Sequence, residues 1–131
     1  MTFTNLMTLT PQGEDSFVAA ASPDKGARTF GGQFLAQTLR AAQATVDDTR
    51  GVNSLHAYFL RPGDPYIETQ IWVERVREGR SFCSRQVVAA QNNKELFRVN
   101  ISLQVPDDTP VYQAESPPEV PPPESVSTTY V

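Results

Sequence analysis

The sequence predicts an α+β domain in which one long helix is wrapped by a curved antiparallel sheet of about five or six strands. Three observations carry this. Residues 30–46 combine helical periodicity with helix-forming composition. Around them lie short runs of β-branched and aromatic residues separated by turn chemistry. The last run alternates apolar Phe97, Val99, Ile101, Leu103 and Val105 with polar Arg98, Asn100, Ser102 and Gln104, a strict period of two.

Taken in order, residues 17–21 form a short apolar run, read as an edge strand and closed by the turn residues Ser22, Pro23 and Asp24. A polar loop containing Gly26 leads to the helix. There Phe34, Leu35, Leu39, Ala42 and Val46 recur at helical spacing, while Gln33, Gln37 and Arg40 fall on another stripe. The alanines of this segment let a neighbour pack closely. The helix ends near Asp47 and Asp48. Residues 52–61 then read as a strand closed by Pro62-Gly63-Asp64-Pro65, and residues 67–77 as the next, rich in Ile, Val and Trp. Glu78-Gly79 signals a tight hairpin before a strand over 81–91. Asn92-Asn93 suits left-handed backbone and precedes the alternating strand. The expectation is one strand, one helix, then an antiparallel meander of four strands. A single such layer leaves apolar surface and a sheet edge open, so pairing with a second copy or a second domain is expected.

Beyond residue 105 the composition changes. Seven of the 11 prolines lie at 106, 110, 117, 118, 121, 122 and 123, among Glu, Ser and Thr. The reading is one domain over 1–105 and a Pro-rich linker or tail over 106–131. The net charge of −4 gives no basic footprint for nucleic acid. With a single cysteine, Cys83, no disulfide forms within the chain and no cysteine-rich zinc site exists. No leader, membrane span or peroxisomal tripeptide is evident, and a cytoplasmic setting is expected.

Three blocks, TFGGQFLAQTLRAAQ (29–43), NSLHAYFLRPGDP (53–65) and VREGRSFCSRQVVAAQNNKELF (76–97), together resemble the acyl-CoA thioesterase II family, collinearly over about residues 17–105. The resemblance implies a hotdog fold, in which the helix is the sausage and the sheet the bun. It further implies tandem hotdogs that hydrolyse fatty acyl-CoA to free acid and CoA, with no cofactor. The match is to the first hotdog, and the Pro-rich tail resembles the interdomain linker. The Asp, Thr and Gln assigned to catalysis in that family lie in the second hotdog, so none transfers to this chain. Where the helix begins, Phe30-Gly31-Gly32-Gln33 carries no carboxylate.

Thioester hydrolysis needs a polarised carbonyl, an activated water and a slot for the acyl chain. The residues offered for catalysis are Gly32, Gln33 and His56; those offered for substrate binding are Gly31, Arg61, Asp64 and Arg80. Amides of Gly31 and Gly32 at a helix start suit a developing oxyanion; equally, the glycines let the helix pack on the sheet. Gln33 orients water or a carbonyl, or is a plain polar side chain, and in neither reading is it a base. His56, the only histidine, suits general-base work at neutral pH, yet mid-strand it reads as well as a structural residue. Asp64 and Asp24 are loop carboxylates also explained as turn residues. Arg61, Arg80, Arg85 and Lys94 suit the phosphates of CoA or simple solvation. Cys83 reads as a small buried hydrophobe. No metal-ligand spacing appears, and no partner for His56 supports the Asp–His chemistry of acyl-CoA dehydration. The open alternative to an enzyme is a non-catalytic hotdog that binds acyl-CoA or serves as the structural half.

Overall fold

A computed structural model describes residues 2–23 and 26–126; Asp24 and the last five residues of the tail lie outside them. In chain order the elements are α1 (Phe3–Leu6), β1 (Leu9–Gly13), β2 (Ser16–Ala19), α2 (Gly31–Gln43), β3 (Gly51–Phe59), β4 (Thr69–Glu78), β5 (Phe82–Gln91) and β6 (Lys94–Gln104). The six strands form one antiparallel sheet in the order β1-β2-β4-β5-β6-β3.

Two expectations are corrected by this order. The strand near residues 17–21 is not an edge: β2 lies between β1 and β4, and the edge is β1, which carries Pro11 and was hidden by its poor strand composition. Nor is the second half a simple meander. The nine-residue β3 crosses over to pair with β6, so the segment between β3 and β4 spans the end of the sheet instead of closing a hairpin. The β5–β6 turn matches its sequence: Asn92 and Asn93 take φ of 50° and 59°, the left-handed pair that a two-residue hairpin requires.

Helix α2 packs across β4, β5 and β6. Its buried face is Phe34, Gln37, Thr38, Ala41 and Ala42, a regular i, i+3, i+4, i+7, i+8 stripe. Leu35 and Leu39 flank this stripe rather than centring it. Ala41 and Ala42 let the helix axis approach the sheet. Gln37, expected on a polar stripe, is 1% exposed and donates through Nε2 to the Leu6 carbonyl at 2.9 Å, tying α1 across the helix. Opposite lies an apolar floor of Ile71, Val87, Phe97, Val99, Ile101 and Leu103, each worth about 1.5–3 kcal/mol when fully buried. The free thiol of Cys83 is part of this floor.

The cover is uneven. Helix α2 leaves most of β3 bare, so Leu55, on its helix-facing side, stays 40% exposed. Leu55, Ala57 and Phe59 share this helix-facing side of the free edge. Residues 106–126 are exposed throughout and hold one 3-10 turn, Pro123–Ser125.

Candidate active site

The chemistry available to this chain gathers at the first turn of α2. The helix follows Phe30, an extended residue whose side chain offers no cap, and no acidic residue lies in the first turn. The amides of Gly31 and Gly32 are thus early-turn donors without a side-chain acceptor, where the helix dipole favours a negative oxygen. At both positions a side chain would meet an aromatic ring. A Cβ on Gly31 would sit 2.8 Å from Phe59 Cε1, and one on Gly32 would sit 2.5 Å from Phe30 Cε1. Two aromatic rings flank these amides, and both are open to solvent: Phe30 is 79% exposed and Phe59 58%.

Two loops build the walls. The segment 62–65 docks under the helix start, with the Thr29 amide donating to the Gly63 carbonyl at 2.8 Å. Gly63 is buried against the Phe34 ring and Thr29, leaving no room for a side chain. Gln91, buried in β5, fixes this loop from behind. Its Oε1 accepts from the Asp64 amide, and its Nε2 donates to the Asp64 and Ile67 carbonyls. From the other side Ser22 donates its amide to the Pro65 carbonyl. The result is two clefts. One, of about 330 Å³, is lined by Gly31, Phe34, Phe59, Leu60, Arg61 and neighbours; the other, of about 270 Å³, includes Ser22, Thr29, Phe30 and Gln33.

The structure brings some of the proposed residues together and separates others. Gly31, Gly32, Gln33 and Arg61 share the helix start. Gln33 is engaged: its Nε2 donates to Ser22 Oγ at 3.0 Å, and the Ser22 hydroxyl lies 3.3 Å from its Oε1. Arg61 donates to the Glu95 carbonyl at 2.6 Å, which holds it at the cleft rim. Asp64 lines neither cleft; its Oδ1 accepts the Tyr66 amide at 2.9 Å, the turn role open to it from sequence. His56 is on the wrong face to join Gly32 and Gln33. It pairs across from exposed Asn100, between the core residues Val99 and Ile101, and packs edge-on against Tyr58 at 4.9 Å. Strand alternation alone puts it on the far side of the sheet from α2. Arg80 sits in the β4–β5 hairpin, where its carbonyl accepts from Arg50, at the opposite end of the helix.

Arg85 is corrected as a phosphate candidate. It is 1% exposed and fully engaged: Nε donates to Thr45 Oγ1 at 2.7 Å, Nη2 to the Thr45 carbonyl at 3.1 Å and also to Glu78. Ser22, Phe30 and Phe59 were not anticipated. The available signals were a buried serine in an otherwise polar turn and an aromatic beside a glycine pair. Only the strand pairing brings Phe59 to Gly31. Among the described residues no group of three or more His, Cys, Asp or Glu is placed to hold a metal, and no helix is long and apolar enough to cross a membrane.

A helix cradled by a single antiparallel sheet, with its uncapped first turn beside a bare edge strand, defines a hotdog domain. A conserved hot dog protein from Alicyclobacillus acidocaldarius superposes with a TM-score of 0.80 at 20% identity over 97% of this chain and 49% of its own, a likeness of fold. Residues 19–104 match the family model described as acyl-CoA thioesterase N-terminal domain, and the chain belongs to that family. It is 40% identical over 123 residues to acyl-coenzyme A thioesterase 8 of Homo sapiens, covering 94% of this chain and 39% of that one. To acyl-CoA thioesterase 2 of Haemophilus influenzae it is 41% identical over 95 residues, 72% of this chain and 33% of that one. The acyl-CoA thioesterase II TesB2 from Mycobacterium marinum superposes with a TM-score of 0.81 at 34% identity, over 93% of this chain and 45% of that one. The chain thus spans less than half the length of these relatives.

Proposed function

We propose that this chain is the first hotdog half of an acyl-CoA thioesterase, which hydrolyses fatty acyl-CoA to free fatty acid and CoA when a second hotdog completes it. The observation that carries this is the collinear family match over residues 19–104. The geometry supports it at two points. The Gly31 and Gly32 amides, early in a helix with no side-chain cap, could donate hydrogen bonds to the negative oxygen that forms when water adds to the thioester carbonyl. The bare edge of β3 suits a second hotdog, whose arrival would cover the exposed Leu55. The Pro-rich segment after β6 serves in this reading as the linker. Where both halves are not on one polypeptide, a homodimer through the same edge plays the part.

Among the described residues, neither an imidazole nor a carboxylate lines the two clefts. In this reading the group that activates water is supplied by the partner half, and hydrolysis uses no cofactor. A lone thiol, Cys83, buried and unpaired, sits comfortably in a reducing compartment, which supports a cytoplasmic setting.

A second reading is favoured by one contact. The Gln33–Ser22 pair occupies the one amide side chain of the first turn, as expected if this half binds acyl-CoA or braces its partner without catalysing. One experiment separates the readings: acyl-CoA hydrolysis by the chain alone and mixed with a second hotdog half, alongside calorimetric titration with a non-hydrolysable acyl-CoA. Binding alone, with turnover gained on mixing, is the expected result. Absence of both binding and turnover in either preparation overturns the proposal.

A further inference from the structure

The free edge strand β3 and the cleft at the start of α2 meet at one side chain. Phe59 is the last residue of β3. Its ring packs edge-on against Phe97 at a centroid distance of 4.9 Å, and Phe97 belongs to the fully buried floor. From that footing the ring reaches over Gly31, close enough that a Cβ there would be 2.8 Å away. One side of the ring packs on the core while more than half of the residue remains exposed, so the ring forms a wall of the cleft beside Gly31. Leu55, two pleats back on the same face, continues the apolar surface away from it.

We propose that Phe59 is a specificity-determining residue: its ring sets the clearance for the acyl carbons next to the thioester, discriminating unbranched acyl groups from those branched beside the carbonyl. The inference rests on the functional reading above, because it takes the carbonyl to lie at the first turn of α2. With the oxygen there, the acyl carbons next to the thioester lie in the cleft that Gly31 and Phe59 line together, and a methyl branch at that point meets the ring.

The test uses thioether analogues of straight-chain and 2-methyl-branched acyl-CoA, titrated by calorimetry into the chain and into its mixture with a second hotdog half. Phe59→Ala should raise the branched-to-straight affinity ratio about tenfold, the scale of one methyl group in a hydrophobic pocket. Phe59→Leu, which keeps apolar packing on Phe97, should give an intermediate ratio, and the control Tyr58→Ala, on the other face of the strand, no change. Circular dichroism confirms that each variant is folded; should Phe59→Ala fail to fold, the ratio for Phe59→Leu decides. An unchanged ratio in protein that binds both analogues overturns the assignment of Phe59 and leaves the functional reading standing. Failure of the unsubstituted protein to bind either analogue overturns both.

Discussion

The two ends of α2 are built by opposite means. At the C-terminal end the helix is clamped. Arg85 reaches from β5 to the Thr45 hydroxyl and carbonyl and to Glu78, and Arg50 joins Asp47 to the Gly79 carbonyl of the β4–β5 hairpin. These cationic side chains tie the segment just past the helix to β5 and to the hairpin, and the helix dipole favours positive charge there. At the N-terminal end there is no side-chain cap, two glycines begin the helix, and exposed rings replace charge. A capping serine or aspartate there would satisfy the same amides that the proposed function assigns to a substrate oxygen. The contrast teaches that one end holds the helix in place so that the other can be left unsatisfied.

Breaking the clamp should have the largest effect. Arg85→Ala removes a buried guanidinium with several partners and is expected to cost about 3 kcal/mol in denaturant unfolding. Arg85→Met, which keeps the volume, should cost less. Equal losses would mean that the guanidinium's hydrogen bonds alone, and not its volume, do the holding. Next comes the floor of the open end. Gly63→Ala drives a methyl into the Phe34 ring and the Thr29 hydroxyl, and overpacking of this kind costs about 1–3 kcal/mol. A smaller change is expected at the first turn itself. In Gly32→Ala the clash is with the ring of Phe30, which is free to swing, so stability should move by no more than about 0.5 kcal/mol. Acyl-CoA analogue affinity should fall nonetheless, because the methyl crowds the amides; unchanged affinity would count against a substrate oxygen at this turn.

The smallest effect lies away from both ends. The carboxyl of Asp15 is held below the usual carboxylate range by hydrogen bonds from Arg75, and that of Glu95 by those from Arg98. A depressed folded-state value stabilises above the unfolded carboxylate range. That contribution drains away as pH falls below about 4 and these groups take up protons. Both pairs are partly exposed, so each contributes tenths of a kcal/mol and is weakened by salt. Acid unfolding midpoints at low and high sodium chloride would show it; insensitivity to salt would sink the pairs as contributors.

The helix, its buried alanines and the strands from β4 to β6 were legible because they repeat at 3.6 or 2 residues. What periodicity cannot see is strand order. The edge strand β1 escaped notice because Pro11 and Gly13 make a poor strand signature, and β3 was assigned to a meander because neighbours in sequence usually pair. The same blindness shaped the reading of the site. Gly31, Gly32 and Gln33 are local to one turn and could be read together. Whether His56 joins them depends on which face of β3 looks at α2, and whether Arg85 is free depends on its partner Thr45, 40 residues away in sequence. Phe59 could be placed only once β3 was known to lie beside β6.

The two margins of the sheet have a consequence for assembly. On one side β1 is five residues long and contains a proline, features that blunt strand addition. On the other, the nine-residue β3 leaves one margin of its backbone unpaired within the sheet. Pairing through β3 would leave only the blunted margin open, so a union made that way would stop at two domains instead of propagating as a fibre.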